Sequence, residues 1–159
     1  MDKLIPVGLG ELSVSANAEE VLVAYGLGSC VAIGMIDQLI GVGGLLHAVL
    51  PESNRQPPQP KFVDSGIRLL LEQMQQRGAN RRRMLVHLAG GASVLTLSGY
   101  TQTFNIGTRN IASAIECLLN EHLSITSKDV GGSVGRTVRL YIRNGRMTVQ
   151  SMGQPEKAL

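Results

Sequence analysis

The apolar stretch of residues 21–51 constrains the fold more than any other part of the chain. It contains two short apolar runs, residues 31–36 (VAIGMI) and 42–46 (VGGLL), on either side of a break that includes Asp37 and Gln38. Short apolar runs separated by a few polar residues are typical of two buried strands joined by a tight turn. The stretch therefore predicts a β-hairpin.

The register of this hairpin decides whether Cys30 and His47 can meet. If Gln38 and Leu39 form a two-residue loop, counting outward along the strands pairs Cys30 directly with His47. Directly opposed residues of an antiparallel pair point to the same face, with Cβ atoms about 4.5–5.5 Å apart. That separation suits proton transfer between a thiol and an imidazole, whereas a shift of one residue would place the two side chains on opposite faces.

Glycines and a serine flank both of these residues. Gly28 and Ser29 precede the cysteine, and Gly43 and Gly44 lie shortly before the histidine. Glycine lets backbone approach closely and leaves room beside it. We therefore expect backbone N–H groups near Gly28 and Ser29 to support an oxyanion, and Gly43 and Gly44 to line the space for a substrate.

The pair is open to two interpretations. A cysteine thiol has an ordinary pKa of about 8.5 and needs a histidine or a positive field to act as a nucleophile near neutral pH. Cys30 and His47 would then be nucleophile and base. In the structural interpretation, Cys30 is a buried apolar residue and His47 a hydrogen-bonded core histidine.

Composition and charge argue against a nucleic-acid-binding protein. Aromatic residues make up 3% of the chain and tryptophan is absent, so the core must be aliphatic. The net charge is +3, and basic residues are scattered apart from the triplet of residues 81–83 (RRR). Surfaces that bind nucleic acid combine a basic groove or patch with stacking aromatics or a groove-reading element. We expect no nucleic-acid partner, and a solvated entry to a strand for the triplet.

The cysteines and the apolar segments indicate the cellular compartment in which we expect the protein. Cys30 and Cys117 have neither a metal-ligand nor a disulfide spacing, and free thiols are typical of a reducing compartment. We expect a cytoplasmic protein with no metal, and a packing role for Cys117. The N-terminal segment is broken by Pro6 and Gly10 and lacks the apolar run of a signal peptide, and residues 21–36 are too short to span a membrane. No membrane insertion is expected.

The remaining patterns predict an α+β fold. Helical periodicity predicts one helix over residues 62–77 and a second beginning near Thr108, and residues 94–97 are weakly strand-like. Alternation over residues 137–143 followed by Asn144-Gly145 predicts a hairpin with a type I′ turn. The fold class is a layered sandwich of mixed, largely antiparallel β-sheet with two main helices packed on the outside. We expect one domain over residues 1–152 and a disordered tail over residues 153–159.

Six blocks in order and with compatible spacing make the chain resemble the CheD family of chemoreceptor glutamine deamidases. The likeness runs from about residue 5 to about residue 149. Its blocks are residues 27–31 (LGSCV), 47–51 (HAVLP), 61–64 (KFVD), 90–92 (GGA), 105–110 (NIGTRN) and 129–136 (DVGGSVGR).

The resemblance implies a cytoplasmic hydrolase of chemotactic signal transduction. Its activity would convert particular glutamines of methyl-accepting chemotaxis receptors to glutamate with release of ammonia. In that case Cys30 is the nucleophile and His47 its base, and no metal or organic cofactor takes part. The implied partners are the receptors' cytoplasmic helices and a CheC-type phosphatase that competes with them. The implied fold is similar to the deamidating domain of cytotoxic necrotizing toxins.

One position departs from the family pattern. The family usually has a threonine six residues before the cysteine, thought to orient the histidine, whereas this chain has Ala24. An alanine side chain cannot accept a hydrogen bond from imidazole. Tyr25, Ser29 or a backbone carbonyl would have to replace it. The alternative function is a catalytically weak adaptor that binds chemoreceptors or a CheC-type phosphatase.

Overall fold

Residues 1–93 and 105–159, which the computed structural model describes, form two five-stranded sheets and two helices. The predicted strand at residues 94–97 lies outside the described residues. The strands are β1 (Lys3–Pro6), β2 (Glu11–Ser15), β3 (Glu20–Leu27), β4 (Val31–Asp37), β5 (Val42–Ala48), β6 (Leu85–Gly90), β7 (Ser127–Val130), β8 (Arg136–Tyr141), β9 (Arg146–Ser151) and β10 (Lys157–Ala158), and the helices are α1 (Val63–Gln76) and α2 (Ile106–Asn120).

The elements stack in three layers. Sheet I has the order β1-β3-β8-β9-β10, and sheet II has the order β2-β5-β4-β6-β7. Only the β1–β3 and β6–β7 pairs of the described strands are parallel. Both helices pack on strands of sheet II, and sheet I lies against the other face of sheet II. The predicted α+β sandwich of mixed, largely antiparallel sheet with outer helices is therefore confirmed.

Helix α1 follows the periodicity of its sequence. Its buried residues recur at intervals of three and four and pack against β5, β2 and β4. This spacing puts one apolar stripe on one side of an α-helix. Gly78 just beyond the helix has φ of +93°, the left-handed conformation that glycine adopts at a helix end without strain.

The β4–β5 hairpin exists, but its predicted register is wrong by two residues. Asp37 pairs with Val42, so residues 38–41 form a four-residue loop instead of the two-residue loop Gln38-Leu39. Two-residue hairpin turns of type I′ need positive φ at both loop positions, which favours Asn and Gly over Gln and Leu. Gly41 supplies a positive φ of +68°, and the Leu39 N–H donates to Asp37 Oδ1 across the turn.

The arginine triplet is a structural element of this hairpin end. Residues 81–83 form a short 3₁₀ helix before β6, and Arg83 donates to the carboxylate of the fully buried Asp37 through Nε and a terminal nitrogen. The Asn80 N–H also donates to Asp37. These bonds hold the pKa of Asp37 below its ordinary value, with the Arg83 hydrogen bond as the main cause. Arg83 therefore forms an ion pair with Asp37 of the same chain.

The prediction that Gly43 and Gly44 line a substrate is not supported by their positions. Both lie in β5 and are buried. A Cβ at Gly43 would lie 2.9 Å from Cδ1 of Ile142 in the layer of sheet I, and a Cβ at Gly44 would lie 2.7 Å from Cδ1 of Leu70 in α1. Glycine is needed here because sheet II is packed closely on both faces.

The C-terminal region differs from its prediction in two places. Tyr141 pairs with Arg146, so a four-residue loop joins β8 to β9, and Gly145 alone of its Asn-Gly pair has positive φ. The expected type I′ turn is therefore wrong. The tail of residues 153–159, for which we expect disorder, contains β10, whose Lys157 pairs with Val149 of β9.

Replacing Gly44 with alanine is expected to lower the free energy of unfolding by about 1–3 kcal/mol, because the added methyl group overpacks a filled core. Its Cβ would lie 2.7 Å from Leu70 and 3.0 Å from Val14. Urea denaturation measures the change. Gly135→Ala is the matched control, since its Cβ meets no other atom closer than 3.6 Å, and its effect should stay within about 0.5 kcal/mol. Equal stability of the two variants would contradict the packing described for Gly44.

Candidate active site

Cys30 lies one residue beyond the end of the β4–β5 ladder. The last pair of the ladder is Val31 with Ala48, so the same register would place Cys30 opposite Val49. The Cys30 side chain is half-buried and packs against the apolar layer between the two sheets. The thiol therefore lies at an open end of the hairpin and not inside a continuous ladder.

His47 is fixed by the loop that joins β1 to β2. Its ring is buried, and Nδ1 lies 2.9 Å from the carbonyl oxygen of Val7. Because a carbonyl can only accept, this hydrogen bond requires the proton on Nδ1 and leaves a lone pair on Nε2. The Gly10 N–H also donates to the His47 carbonyl at 2.9 Å. Ring and backbone of His47 are thus held by the same loop.

Cys30 and His47 share a face of sheet II but are not directly opposed. The register pairs Ala32 with His47, so Cys30 and His47 are diagonal neighbours. Diagonal neighbours in antiparallel strands are about 7–8 Å apart and remain within reach of ring side chains. The two-residue error in the predicted register preserves the face because side chains alternate with a period of two.

The nitrogen Nε2 of His47 is one of two buried side-chain atoms without a hydrogen-bond partner among the described residues. It is buried and makes no hydrogen bond to any described residue, the Cys30 thiol included. Catalytic hydrogen bonds are often long in the absence of substrate and shorten in the substrate complex. The His47 ring therefore has a nitrogen without a hydrogen-bond partner among the described residues, on the face of the sheet that Cys30 shares.

The surroundings of Cys30 favour the protonated thiol over the thiolate. Burial raises the pKa of the Cys30 thiol, and a hydrogen bond from the residue's own backbone N–H partly opposes that rise. A thiol of this kind is not a preformed thiolate, so attack on a carbonyl needs a base that removes its proton.

The backbone leading to Cys30 is held through three successive carbonyl groups. The Gly28 carbonyl accepts from the Ala92 N–H at 2.8 Å, and the Cys30 carbonyl accepts from the Gly91 N–H at 2.8 Å. The Ser29 carbonyl accepts from the side chain of Asn110 at 2.9 Å. A trans peptide directs its N–H away from its own C=O, so the Ser29 N–H points away from Ala92 and the Cys30 N–H points away from Asn110. They are the backbone donors expected to support an oxyanion.

Ala24 lies in the layer between the sheets. It is fully buried in β3, pairs with Val138 and packs in the apolar cluster that Cys30 also contacts. Its side chain offers His47 no hydrogen bond, and the ring nitrogen that an orienting residue would engage is bonded to Val7. Of the replacements considered from the sequence, a backbone carbonyl is the group that bonds to the His47 ring.

A glycine-lined groove of about 260 Å³ lies beside Gly28. Its walls come from the β3 bulge, the start of β8 and the end of β9, and Gly26 and Gly135 leave them without side-chain bulk. Met152 contributes an exposed apolar side chain to its rim. This groove, and not the buried glycines of β5, offers open space near the Cys30 loop.

The second thiol and the second buried histidine have structural surroundings. Burial raises the pKa of the Cys117 thiol to about 11, and its Sγ lies 3.5 Å from the Asp64 carbonyl oxygen. Nδ1 of His87 lies 2.5 Å from Ser127 Oγ, and burial lowers the pKa of His87.

Over residues 1–93 and 105–159, no cluster of three or more His, Cys, Asp or Glu side chains could hold a metal ion. Neither described helix is long and apolar enough to cross a membrane.

Sequence reasoning missed two groups that hold this site. The Val7 carbonyl has no sequence signature, because every residue carries a backbone carbonyl. Asn110 has one, since it is a polar residue on the buried stripe of α2, four residues before Ala114, and is fully buried. A buried amide on an apolar stripe needs hydrogen-bond partners, which marks it as a residue with a specific contact.

Comparison with known proteins gives consistent matches. The family model "CheD chemotactic sensory transduction" matches residues 49–151. A probable chemoreceptor glutamine deamidase CheD of Symbiobacterium thermophilum is 37% identical over 99% of this chain and 98% of its own length. A probable chemoreceptor glutamine deamidase CheD 2 of Anaeromyxobacter dehalogenans is 40% identical over 95% of this chain and 96% of its own length. These two matches extend over the N-terminal region that precedes the family-model match.

A solved structure, the Bacillus licheniformis hypothetical protein YfiH, matches 77% of this chain and 49% of its own chain. The TM-score is 0.46 and the sequence identity is 12%.

Iodoacetamide is expected to label Cys30 and to spare Cys117 in the folded protein at about pH 8. With a pKa of about 11, Cys117 is thiolate to roughly one part in a thousand at that pH, and its side chain is buried. Peptide mass mapping after timed alkylation measures both sites, and labelling in denaturant serves as the control in which both react. Labelling of Cys117 as fast as Cys30 in the folded state would contradict the burial described here.

Proposed function

Because the chain belongs to the CheD family, we propose that it is a protein-glutamine deamidase that converts glutamine side chains of chemoreceptors to glutamate. Cys30 is the nucleophile and His47 is the base. The observation that carries this assignment is the bond from His47 Nδ1 to the Val7 carbonyl, which leaves the Nε2 lone pair on a ring that shares a face with Cys30.

The first half of the reaction releases ammonia. His47 Nε2 takes the Sγ proton of Cys30 as sulfur attacks the carboxamide carbon of a substrate glutamine, and a carbon–sulfur bond forms. The tetrahedral intermediate then collapses, the carbon–nitrogen bond breaks, and the departing nitrogen takes the proton from His47. A thioester on Cys30 and one molecule of ammonia result.

The second half restores the enzyme. Water attacks the thioester carbon while His47 Nε2 accepts a proton from it, and the carbon–sulfur bond breaks. The substrate side chain leaves as glutamate, and the proton on His47 returns to the sulfur. No redox step or organic cofactor enters this sequence.

The negative charge on the substrate oxygen is stabilised by backbone N–H groups of the Cys30 loop. The N–H groups of Ser29 and Cys30 point away from the anchored carbonyls of residues 28 and 29, and the Cys30 N–H contacts the sulfur. Donors that are already oriented need no rearrangement when charge develops, so they favour the transition state over the bound substrate. Gly28 keeps this side of the loop free of side-chain bulk.

The Val7 carbonyl replaces the threonine that the family usually has where this chain has Ala24. A carbonyl that accepts from Nδ1 selects the tautomer with a free Nε2 and limits rotation of the ring. An active enzyme is therefore compatible with alanine at position 24.

The groove beside Gly28 is the proposed approach for the substrate. The target glutamine lies on a cytoplasmic helix of a receptor, and a shallow groove lined by glycine accepts a side chain that projects from a helix. We place the reaction in the cytoplasm, where those receptor helices are, and expect a CheC-type phosphatase as a further partner.

Incubation with the purified cytoplasmic fragment of a chemoreceptor is expected to raise the fragment's mass by about 1 Da per modified glutamine and to release equal amounts of ammonia. Cys30→Ala and His47→Gln should each lower the rate by about 10³-fold or more, because they remove the nucleophile and the proton acceptor. Intact-mass spectrometry and an ammonia assay follow both products.

His87→Gln is the matched control for His47→Gln. It alters another buried histidine of sheet II, bonded to Ser127 and not to the Val7 loop, so its rate should remain within about threefold of the wild type. Failure of the wild-type protein to modify a fragment that a known deamidase modifies would reject the proposed activity.

The adaptor alternative is motivated by Ala24. The variant Ala24→Thr distinguishes it from the active enzyme. If the Val7 carbonyl already orients His47, the threonine variant should change kcat by no more than about threefold. An adaptor with a disabled site predicts an inactive wild type whose activity rises on this substitution, together with receptor binding that survives Cys30→Ala. Rate measurements and a binding titration on the same fragment distinguish the two.

A further inference from the structure

Asn110 joins the two strands at the open end of the β4–β5 hairpin. Its Nδ2 lies 2.9 Å from the Ser29 carbonyl oxygen, just before Cys30, and 2.9 Å from the Val49 carbonyl oxygen, in the position opposite Cys30. Asn110 is completely buried, and its Oδ1 has no hydrogen-bond partner among the described residues. Both amide hydrogens are therefore used on the hairpin.

These bonds replace the ladder where it stops. The strand pairing ends at Val31 and Ala48, and beyond it the part-buried carbonyls of Ser29 and Val49 face α2. A buried carbonyl without a donor costs about 1–3 kcal/mol. A primary amide supplies two N–H groups from one nitrogen, so a single asparagine satisfies both carbonyls.

The hydrogen bond from Asn110 to the Ser29 carbonyl also affects the Cys30 N–H, which belongs to the same peptide. The Ser29 carbonyl and the Cys30 N–H belong to one planar peptide unit and point in opposite directions. Holding the carbonyl toward α2 fixes the direction of the Cys30 N–H. A hydrogen bond to the carbonyl also polarises the peptide and strengthens its N–H as a donor.

We infer that Asn110 is a positioning residue, which holds the Ser29–Cys30 peptide so that the Cys30 N–H faces the oxyanion formed when Cys30 attacks. This role rests on the proposed deamidase function. Asn110 touches neither sulfur nor substrate in this assignment and acts through the peptide alone.

A variant at Ser113 distinguishes this positioning role from ordinary packing of α2. It lies three residues further along the same helix, and its Oγ donates to the Pro51 carbonyl at 2.6 Å. Both side chains tie α2 to the segment that leaves β5, but Asn110 alone of the two contacts the Cys30 loop. Ser113→Ala is therefore the matched control.

The test compares Asn110→Leu and Ser113→Ala on the chemoreceptor fragment. Leucine has nearly the shape of asparagine, adds no charge and removes both donors. We expect kcat of Asn110→Leu to fall by about 30- to 300-fold with KM within about twofold, because an oxyanion donor acts only in the transition state. Ser113→Ala should keep the wild-type kcat. Circular dichroism and thermal unfolding establish that each variant is folded.

A second readout does not depend on deamidation. The rate of Cys30 alkylation by iodoacetamide against pH gives the pKa of the thiol, which its own N–H lowers. In Asn110→Leu that pKa should rise by about half a unit or more, while Ser113→Ala keeps the wild-type profile. If the wild type fails to deamidate the fragment, the proposed function is rejected, and the alkylation profile still decides the role of Asn110.

If Asn110→Leu does not fold, Asn110→Ala carries the same readouts, because alanine also removes both donors and adds no bulk. A folded variant at position 110 with wild-type kcat and an unchanged alkylation profile would overturn the inference. Equal losses in Asn110→Leu and Ser113→Ala would also overturn it, since helix packing would then explain both.

Discussion

The bond between His47 Nδ1 and the Val7 carbonyl is the interaction on which the site depends. Val7 donates its own N–H to the Val23 carbonyl in sheet I at 2.7 Å, while its carbonyl accepts from His47 in sheet II. A single residue thus connects the two sheets at the histidine and selects its tautomer. The loop between β1 and β2 is part of the candidate active site for this reason.

The two faces of sheet II have different roles in this layered fold. The face toward sheet I carries the side chains of Cys30 and His47, and the face toward the helices is filled by an aliphatic core. Support for Cys30 reaches it around the end of the sheet, from residues 90–92 and from α2. A Cβ on Gly107 would clash with the Ala92 carbonyl oxygen, so α2 begins in close contact with the backbone that holds the Cys30 loop.

The structural features that could be predicted from sequence are those governed by side-chain periodicity. Alternating and helical patterns located the hairpin strands and both helices, and a period of two kept Cys30 and His47 on one face despite the wrong register. The loop length was missed because Gly41 closes it through its backbone conformation. The Gly43 and Gly44 assignment failed because a sequence does not reveal which layer fills the space beside a glycine. The Val7 contact could not be found at all, since a carbonyl acceptor has no residue type.

The tautomer of His47 is the property on which the proposed mechanism depends. Long-range ¹H–¹⁵N correlation spectroscopy of protein labelled at the histidine ring nitrogens assigns the protonated nitrogen of the neutral ring, and Cys30→Ala provides a sample without the thiol. If the Val7 carbonyl selects the tautomer, the proton lies on Nδ1 and Nε2 is unprotonated in both samples. A proton on Nε2 in the neutral ring would contradict this tautomer, because Nε2 would then have no lone pair to receive the proton of Cys30.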